Sequence, residues 1–543
     1  MINRVFLLFN TVRHLKFTQI YYRLFKNKPR NIRRDDYDIN TNESLSNLLT
    51  IELSPSRLVK KNVFIFLNEK RELVSWNDVS APKLWLYNLH YFDEINSFGS
   101  DSRKAIYLDL INDWIENNPP FIGNGWEPYP LSLRIVNWIK YFNRTKIGDK
   151  NTKFLNSLYL QSRCLYNSLE YHLLGNHLFA NAKALIFAGS YFTSNESIKW
   201  LNKGLEILDK EIPEQILEDG ANFELSPMYH AIILNDMLDL CSLCKAANIS
   251  ALNARLSYWS EITRKMFAWA EYMLHPDGEV SFFNDSAIGI APKLASLKEY
   301  ALYIDFALPS PTDYRALLLE NSGYIVAKKN SQKLIIDSAK VGPDYIPGHA
   351  HADTLSFELS IGNQRVFVNS GTSVYGLGEE RLRQRKTESH NTVVVNGEDS
   401  SEVWSGFRVA RRAYPSSPTI THDEETIIVR CSHDGYMRLS GKVMHTRTWH
   451  LASERMIVSD LLTGTFNDAK AHYHLHPNIQ ILSEDDIIIQ LPDNSKYGVK
   501  VEGGDVVVLD STWHPEFGLS VANKKFLVNF KQNEVTFVLE RIM

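Results

Sequence analysis

Cysteine is scarce in this chain. Four thiols, Cys164, Cys241, Cys244 and Cys431, are spread over 543 residues, which excludes a disulfide framework. Cys241 and Cys244 form a CxxC, but they lie inside a helical apolar pattern with no second pair. They read as core packing and not as redox or zinc chemistry. Long hydrophobic runs are lacking too, so no segment reads as a transmembrane helix. The N-terminal run from Val5 to Phe9 is short and no small-residue cleavage site follows, so no export signal is read. The expected location is cytoplasmic or at an inner membrane, with the periplasm as the alternative. An excess of positive charge is missing as well: the net charge of -4 excludes a general affinity for nucleic acid. No strict internal repeat is present.

What is present is a composition of 44% apolar and 22% charged residues, enough for large cores and typical of a folded protein. The charge is unevenly placed. Residues 1 to 34 hold nine Lys/Arg (Arg4, Arg13, Lys16, Arg23, Lys26, Lys28, Arg30, Arg33, Arg34) and no Asp or Glu, so the remainder carries -13. Apolar residues interleave with them. A helix docked on the body with a solvated basic face is the expectation; contact with an anionic membrane surface or with an acidic polymer are the alternatives.

The periodicity divides the chain. Residues 1–80 read as a basic helical segment and linker, with "NVFIFLN" (62–68) as a strand. Residues 81–315 are helical almost throughout, with apolar residues at three- and four-residue spacing over 103–118, 131–142, 151–174, 197–212, 227–247 and 255–274. Residues 316–543 switch to short β-rich runs separated by turn residues, as in "TLSFELSIGNQRVFVNS" and "HNTVVVNG". The fold class is therefore α+β in two domains, helices first and an antiparallel β-sandwich second. Ligand sites favour such interfaces.

Several clusters could carry chemistry. Trp126, Tyr129 and Arg134 in "NGWEPYPLSLRIVNW" suit a sugar chain bearing a carboxylate, and equally a core corner. Asn176 and His177 open a helix after Gly175. In "GANFELSPMYHAII", Ser226 and Pro227 read as the cap and first residue of a helix, with Glu224, Tyr229 and His230 crowded around its start. In "GHAHADTLSFELS", strand alternation sends His349, His351, Asp353, Leu355, Phe357 and Leu359 to one face. His390 precedes a further strand, and such groups could bind zinc. "AHYHLHP" (471–477) reads as a sheet face. The basic run "RLRQRK" (381–386), which includes Arg385, could attract an anionic substrate.

Taken together, "GNHLFANAKAL", "NFELSPMYH", "GHAHADTLSFEL", "VNSG" and "SHNTVVVNG", in this order, resemble the heparinase II/III-like polysaccharide lyases, relatives of the oligoalginate lyases. "GWEPYPLSLRIVNWIKYF" and "KLWLYNLHYFDE" look like the branch found with bacterial surface-polysaccharide clusters. The resemblance covers roughly residues 80 to 540 and implies an incomplete (α/α) toroid followed by an antiparallel β-sandwich. It further implies that Asn176 and His177 neutralise a uronate carboxylate, that Tyr229 is the catalytic acid and, for some linkage stereochemistries, the base, and that His349 is the general base or the partner of Tyr229. Trp126, Tyr129, Arg134, Glu224, His230 and Arg385 are expected to line the substrate. His351, Asn369 and His390 are expected to hold a structural zinc ion. Relatives carry Asp where this chain has Asn369, and a neutral amide is a weaker ligand.

The expected activity is β-elimination on a uronate-containing, anionic polysaccharide. A helix N-terminus carries roughly half a positive charge, so Tyr229 at such a position is expected to have its pKa lowered from about 10. A uronate C5-epimerase is the alternative, since it needs the same carboxylate neutralisation and proton removal. A non-catalytic glycan-binding or assembly protein is a third reading. A glycoside hydrolase using Glu224 and Asp285 is a fourth.

Overall fold

The computed structural model describes residues 2–25, 39–147, 151–310, 313–483 and 486–542. Lys26, Lys28, Arg30, Arg33 and Arg34 of the basic segment lie outside the described residues. Two helices, Ile2–Val12 and Phe17–Leu24, come first. A small three-stranded antiparallel sheet follows, Leu58–Lys60, Val63–Phe66 and Glu69–Glu72, and drives Phe64 and Phe66 into the helical core.

From Lys83 to Tyr303 the described regular elements are helical. The larger ones are Lys104–Asn117, Pro128–Thr145, Thr152–Tyr166, Gly175–Tyr191, Asn195–Gln215, Pro227–Ala247 and Ser250–Met273. Their boundaries have local causes. The Asn151 side chain accepts from the Phe154 N–H, and Ser194 and Ser197 cap one another's N–H groups, which satisfies donors that have no partner inside a helix. The helix expected over 151–174 ends at Tyr166, and the chain then runs irregularly to Leu174, which has φ +65. The apolar stripes meet in one core containing Trp114, Trp138, Trp200 and Trp259, the toroid half.

The β half opens with a five-stranded antiparallel meander, Ala316–Leu319, Tyr324–Lys329, Gln332–Asp337, Phe357–Ile361 and Gln364–Phe367. Eight- and four-stranded antiparallel sheets follow, and the three share one core around Trp449, Tyr473 and Phe537. "AHYHLHP" supplies the strand Ala469–His474, with His472 and His474 buried on it. "GHAHADTLS" departs from the expected strand: the strand starts only at Phe357, and residues 348–356 are irregular. The cause is a turn in which the Ser356 N–H donates to the Asp353 carbonyl at 2.8 Å and Leu355 takes φ +63.

The two halves meet across an apolar seam. Leu225, Trp269, Met273 and Phe283 pack against Leu319, Tyr324, Val326 and Ile335 of the first sheet. Polar ties flank it: Arg365 Nε lies 2.7 Å from Asp277, and His275 Nε2 lies 2.8 Å from Glu358. Within the toroid, the helix that starts at Gly175 is held tightly by its successor. A Cβ at Gly204 would stand 2.7 Å from the Ala182 carbonyl oxygen, closer than packed atoms tolerate. Gly204→Ala should therefore destabilise the protein by about 1–3 kcal/mol, read as a lower urea midpoint at unchanged m-value. An unchanged midpoint would show that the pair can separate freely.

Candidate active site

The site forms where two short sequences zip together. The Asp285 N–H donates to the His349 carbonyl at 3.0 Å, the His351 N–H to Asn284 Oδ1 at 3.0 Å, and the Asn284 N–H to Asp353 Oδ2 at 3.1 Å. "FFNDS" and "GHAHAD" thus hold one another, the first following the toroid and the second belonging to the β half. Asp285 sits at the centre, fully buried. His349 Nδ1 lies 2.9 Å from its Oδ2 and His351 Nε2 lies 2.8 Å from its Oδ1. Arg381 donates to both carboxylate oxygens, with Nη2 at 2.7 Å, and Thr372 Oγ1 adds a contact at 3.3 Å. Burial alone would raise this pKa. The Arg381 guanidinium, followed by the two histidine bonds, instead holds Asp285 well below the usual carboxylate range.

The toroid brings the other side chains to His349. Ser226 caps the helix Pro227–Ala247 by accepting from the Tyr229 N–H at 3.2 Å, and its own hydroxyl donates to the Asp285 carbonyl at 2.6 Å. Tyr229 therefore stands one ring away from His349, with centroids 3.9 Å apart, and its hydroxyl lies 3.0 Å from that of Tyr375. Glu224 joins the two helix starts. Its Oε1 accepts from the Asn176 N–H at 3.3 Å and its Oε2 lies 3.4 Å from His349 Nε2. A Cβ at Gly175, which has φ +55, would come within 2.7 Å of Glu224 Oε1, so only glycine allows this approach. The His177 ring packs on Tyr129 with centroids 4.4 Å apart, and its Nδ1 lies 3.2 Å from Glu170. Burial works to lower the His177 pKa, but the Glu170 carboxylate outweighs it and the net shift is upward.

Tyr229 departs from expectation. Burial first, then Tyr375 and Asp285, push its pKa well above 10. The helix start is outweighed because the phenol is withdrawn from water and faces acidic neighbours, so Tyr229 is held as a proton donor.

Asn176, His177, Tyr229, His349, Glu224 and Tyr129 come together. The other expected substrate residues do not. Trp126 is buried against Trp114 at 5.7 Å and donates to the Asn118 carbonyl. Arg134 is fully buried, bonding Gln161 and the carbonyls of His90 and Gly125 beneath the Trp114 ring. His230 is held between the Asn222 N–H and the Met266 carbonyl with its ring on Trp269, and burial lowers its pKa to about 3. Arg385 spends its guanidinium on the carbonyls of Ala350, Ser405 and Arg408. These four hold backbone and core, and none faces the Tyr229–His349 pair.

The metal set also differs. Asn369 is fully buried, with its amide donating to the Phe282 carbonyl and Ser356 and its oxygen accepting from the Asn391 N–H. It is a backbone clasp. The carboxylate that joins His351 and His390 is Asp353, with ligand atoms all within 4.8 Å of one another. His390 Nδ1 lies 2.8 Å from the Lys386 carbonyl, which accepts its proton, and His351 Nε2 faces Asp285. The two remaining nitrogens then point at each other across 3.0 Å. That arrangement suits a cation, because ligating imidazoles give their outer N–H to a carboxylate or carbonyl.

The sequence shows the same relationship as this geometry. Residues 99–306 match the description Heparinase II/III N-terminus and residues 311–538 match Heparinase II/III-like, C-terminal. The chain belongs to the heparinase II/III-like family. A heparin-sulfate lyase of Pedobacter heparinus is 24% identical over 61% of this chain and 55% of its own length. One of Bacteroides stercoris is 28% identical over 52% of this chain and 45% of its own. The chain thus spans about half the length of these curated relatives. In fold, a heparinase III crystal structure superposes with a TM-score of 0.67 at 18% identity, covering 96% of this chain and 88% of that one.

Tyr375 and Arg381, both at this site, were not chosen from the sequence. Tyr375 lies in an irregular segment with no pattern to mark it. Arg381 stood inside "RLRQRK", but only the helix Glu379–Arg385 shows which of its two buried arginines reaches Asp285. Arg381→Leu should cost about 3–5 kcal/mol, since it strands a buried charge. The sign follows from the lowered Asp285 pKa: the stabilisation is present above the unfolded carboxylate value and is lost as pH falls through the folded one. The stability gap between variant and parent, measured by denaturant unfolding, should therefore narrow in acid. A gap independent of pH would remove the Arg381–Asp285 pair as its source.

Proposed function

We propose that this protein is a polysaccharide lyase that cleaves a uronate-containing glycan by β-elimination. One observation carries the reading: Glu224 ties the Asn176–His177 helix start to His349, with Tyr229 on the same imidazole. Carboxylate binder, base and acid then share one place. The names of the lyase relatives support the substrate class.

The residues divide the reaction among themselves. Asn176 and the His177 imidazolium receive the C6 carboxylate, so the negative charge that develops on it is stabilised. Asp285 accepts the His349 Nδ1 proton, which leaves Nε2 to take the C5 proton. The C5–H electrons form the C4=C5 bond, the C4–O4 bond breaks, and Tyr229 protonates O4. Tyr375 holds the Tyr229 hydroxyl. His351, Asp353 and His390 would hold a zinc ion, whose charge would fix the loop that carries His349.

Tyr229→Phe should lower kcat by about a hundredfold to ten-thousandfold with little change in substrate binding. Proton NMR of uronate polymers incubated with the protein in D2O should show a new vinyl signal. Loss of H5 without a vinyl proton would make the protein an epimerase, and binding without either change a glycan-binding protein.

The His177 charge exists below its raised pKa and is lost above it. KM should rise on the alkaline side, and Glu170→Gln should move that rise to lower pH. An unmoved profile would remove His177 from carboxylate binding. Metal analysis of the purified protein should find about one zinc per chain, and Asp353→Asn should release it. A chain free of zinc, or an Asp353→Asn variant that keeps it, would refute this ligand set.

A further inference from the structure

The first two helices are docked inside out. In Ile2–Val12 the residue turned into the body is Asn10, 4% exposed, while Phe9 beside it is 65% exposed. In Phe17–Leu24, Gln19 is 2% exposed, while Phe17 and Leu24 are 78% and 73% exposed. Val5, Phe6, Leu8, Val12, Tyr21 and Phe25 are exposed as well. An amphipathic helix on a globular body shows the opposite arrangement, and so many apolar side chains exposed along two successive helices mark a contact.

The docking itself is specific and polar. The Thr11 hydroxyl lies 3.3 Å from the Val409 carbonyl and accepts from Trp404 Nε1 at 3.0 Å. Gln19 donates to the Tyr345 carbonyl at 3.2 Å, and Lys16 pairs with Glu214 at 2.5 Å while lying over the Tyr345 ring. Tyr22 stacks on Tyr171 at 4.9 Å. The outward apolar face is therefore fixed in place.

Charge decides what covers it. Residues 1 to 34 carry only positive charge, and Arg4, Arg13 and Arg23 are exposed beside the apolar side chains. A second copy of the chain in a two-fold dimer would set this patch against itself, opposing like charges. An anionic lipid surface accepts both features, with apolar side chains entering the acyl boundary and arginines meeting headgroups. Helices of 11 and 8 residues lie in such an interface and do not cross it. We propose that Ile2–Val12 and Phe17–Leu24 form a docking surface for an anionic membrane.

The location gives the docking a use. Tyr345, under Lys16 and Gln19, lies on the loop that continues to His349. Ile346 of the same loop abuts Gly175 at the start of the Asn176–His177 helix. If the lyase reading above holds, the docking brings the loop that carries His349 near a lipid surface.

The test needs no glycan, so its failure is separate from any failure of the lyase reading. The full chain is floated with vesicles of phosphatidylcholine alone or mixed with phosphatidylglycerol, and a Phe9→Glu, Phe17→Glu, Leu24→Glu variant is run beside it. All three positions are exposed, so the fold is retained, as circular dichroism checks. The chain should float with the anionic vesicles, less in high salt, and the variant should lose about tenfold or more of this partitioning. Flotation with neither vesicle, equal flotation of the variant, or a dimer that the triple substitution dissolves without any vesicle binding would each overturn the proposal.

Discussion

A buried ionised carboxylate is costly unless it is paired and fully bonded, and Asp285 meets that condition with nothing to spare. Arg381 takes both oxygens, and His349 and His351 take one each. These three partners come from two pieces of chain: one from a short helix and two from an irregular loop. Once the charge is buried, every one of these pieces has its position fixed. The orientation of the His349 ring follows from this, and so does the presentation of its other nitrogen to Glu224.

The same low-dielectric surroundings separate the roles of neighbouring groups. Tyr229 and His177 open two helices of one domain, yet their pKa values move for different reasons. Burial raises the phenol because only its ionised form suffers from desolvation, and Tyr375 and Asp285 add to the shift. Burial alone would lower the imidazole, but Glu170 reverses it. The phenol is held towards its protonated form and the imidazole towards its charged one, the division that the proposed elimination beside a carboxylate uses. A helix dipole acts on both starts and distinguishes neither, so local charge sets the difference.

Much of this was legible in the sequence. Ser226–Pro227 marked a helix start that exists, and the change from three- and four-residue to two-residue spacing marked the passage from toroid to sheets. The cluster of Asn176, His177, Tyr229 and His349, which the fold brings together, was picked out through motif resemblance. Periodicity failed where a turn intervened: His349, His351 and Asp353 were read as one strand face, but Leu355 at positive φ ends the alternation below them. They nevertheless converge, because Asn284 and Asp285 gather them from outside. Residue type alone could not separate arginines. Arg134, Arg381 and Arg385 are all buried, and only their partners show that two hold carbonyls and one holds the carboxylate. Asn369 was aligned to a ligand position, but an amide that donates and accepts at once suits a backbone clasp.

The position of Asp285 also bears on how the site is assembled. Its sequence neighbours Phe283 and Asn284 tie to Tyr324 and Asp353 of the β half, while the Ser226 hydroxyl from the toroid closes onto its carbonyl. An isolated toroid would hold this carboxylate without Arg381, and an isolated β half would hold the guanidinium without its anion. Either state leaves a charge that must stay hydrated, which keeps the apolar seam of Leu225, Trp269 and Tyr324 from closing around it. Docking of the halves and completion of the ion network are thus one event. That places Tyr229 from one half and His349 from the other at a fixed distance only in the fully folded chain.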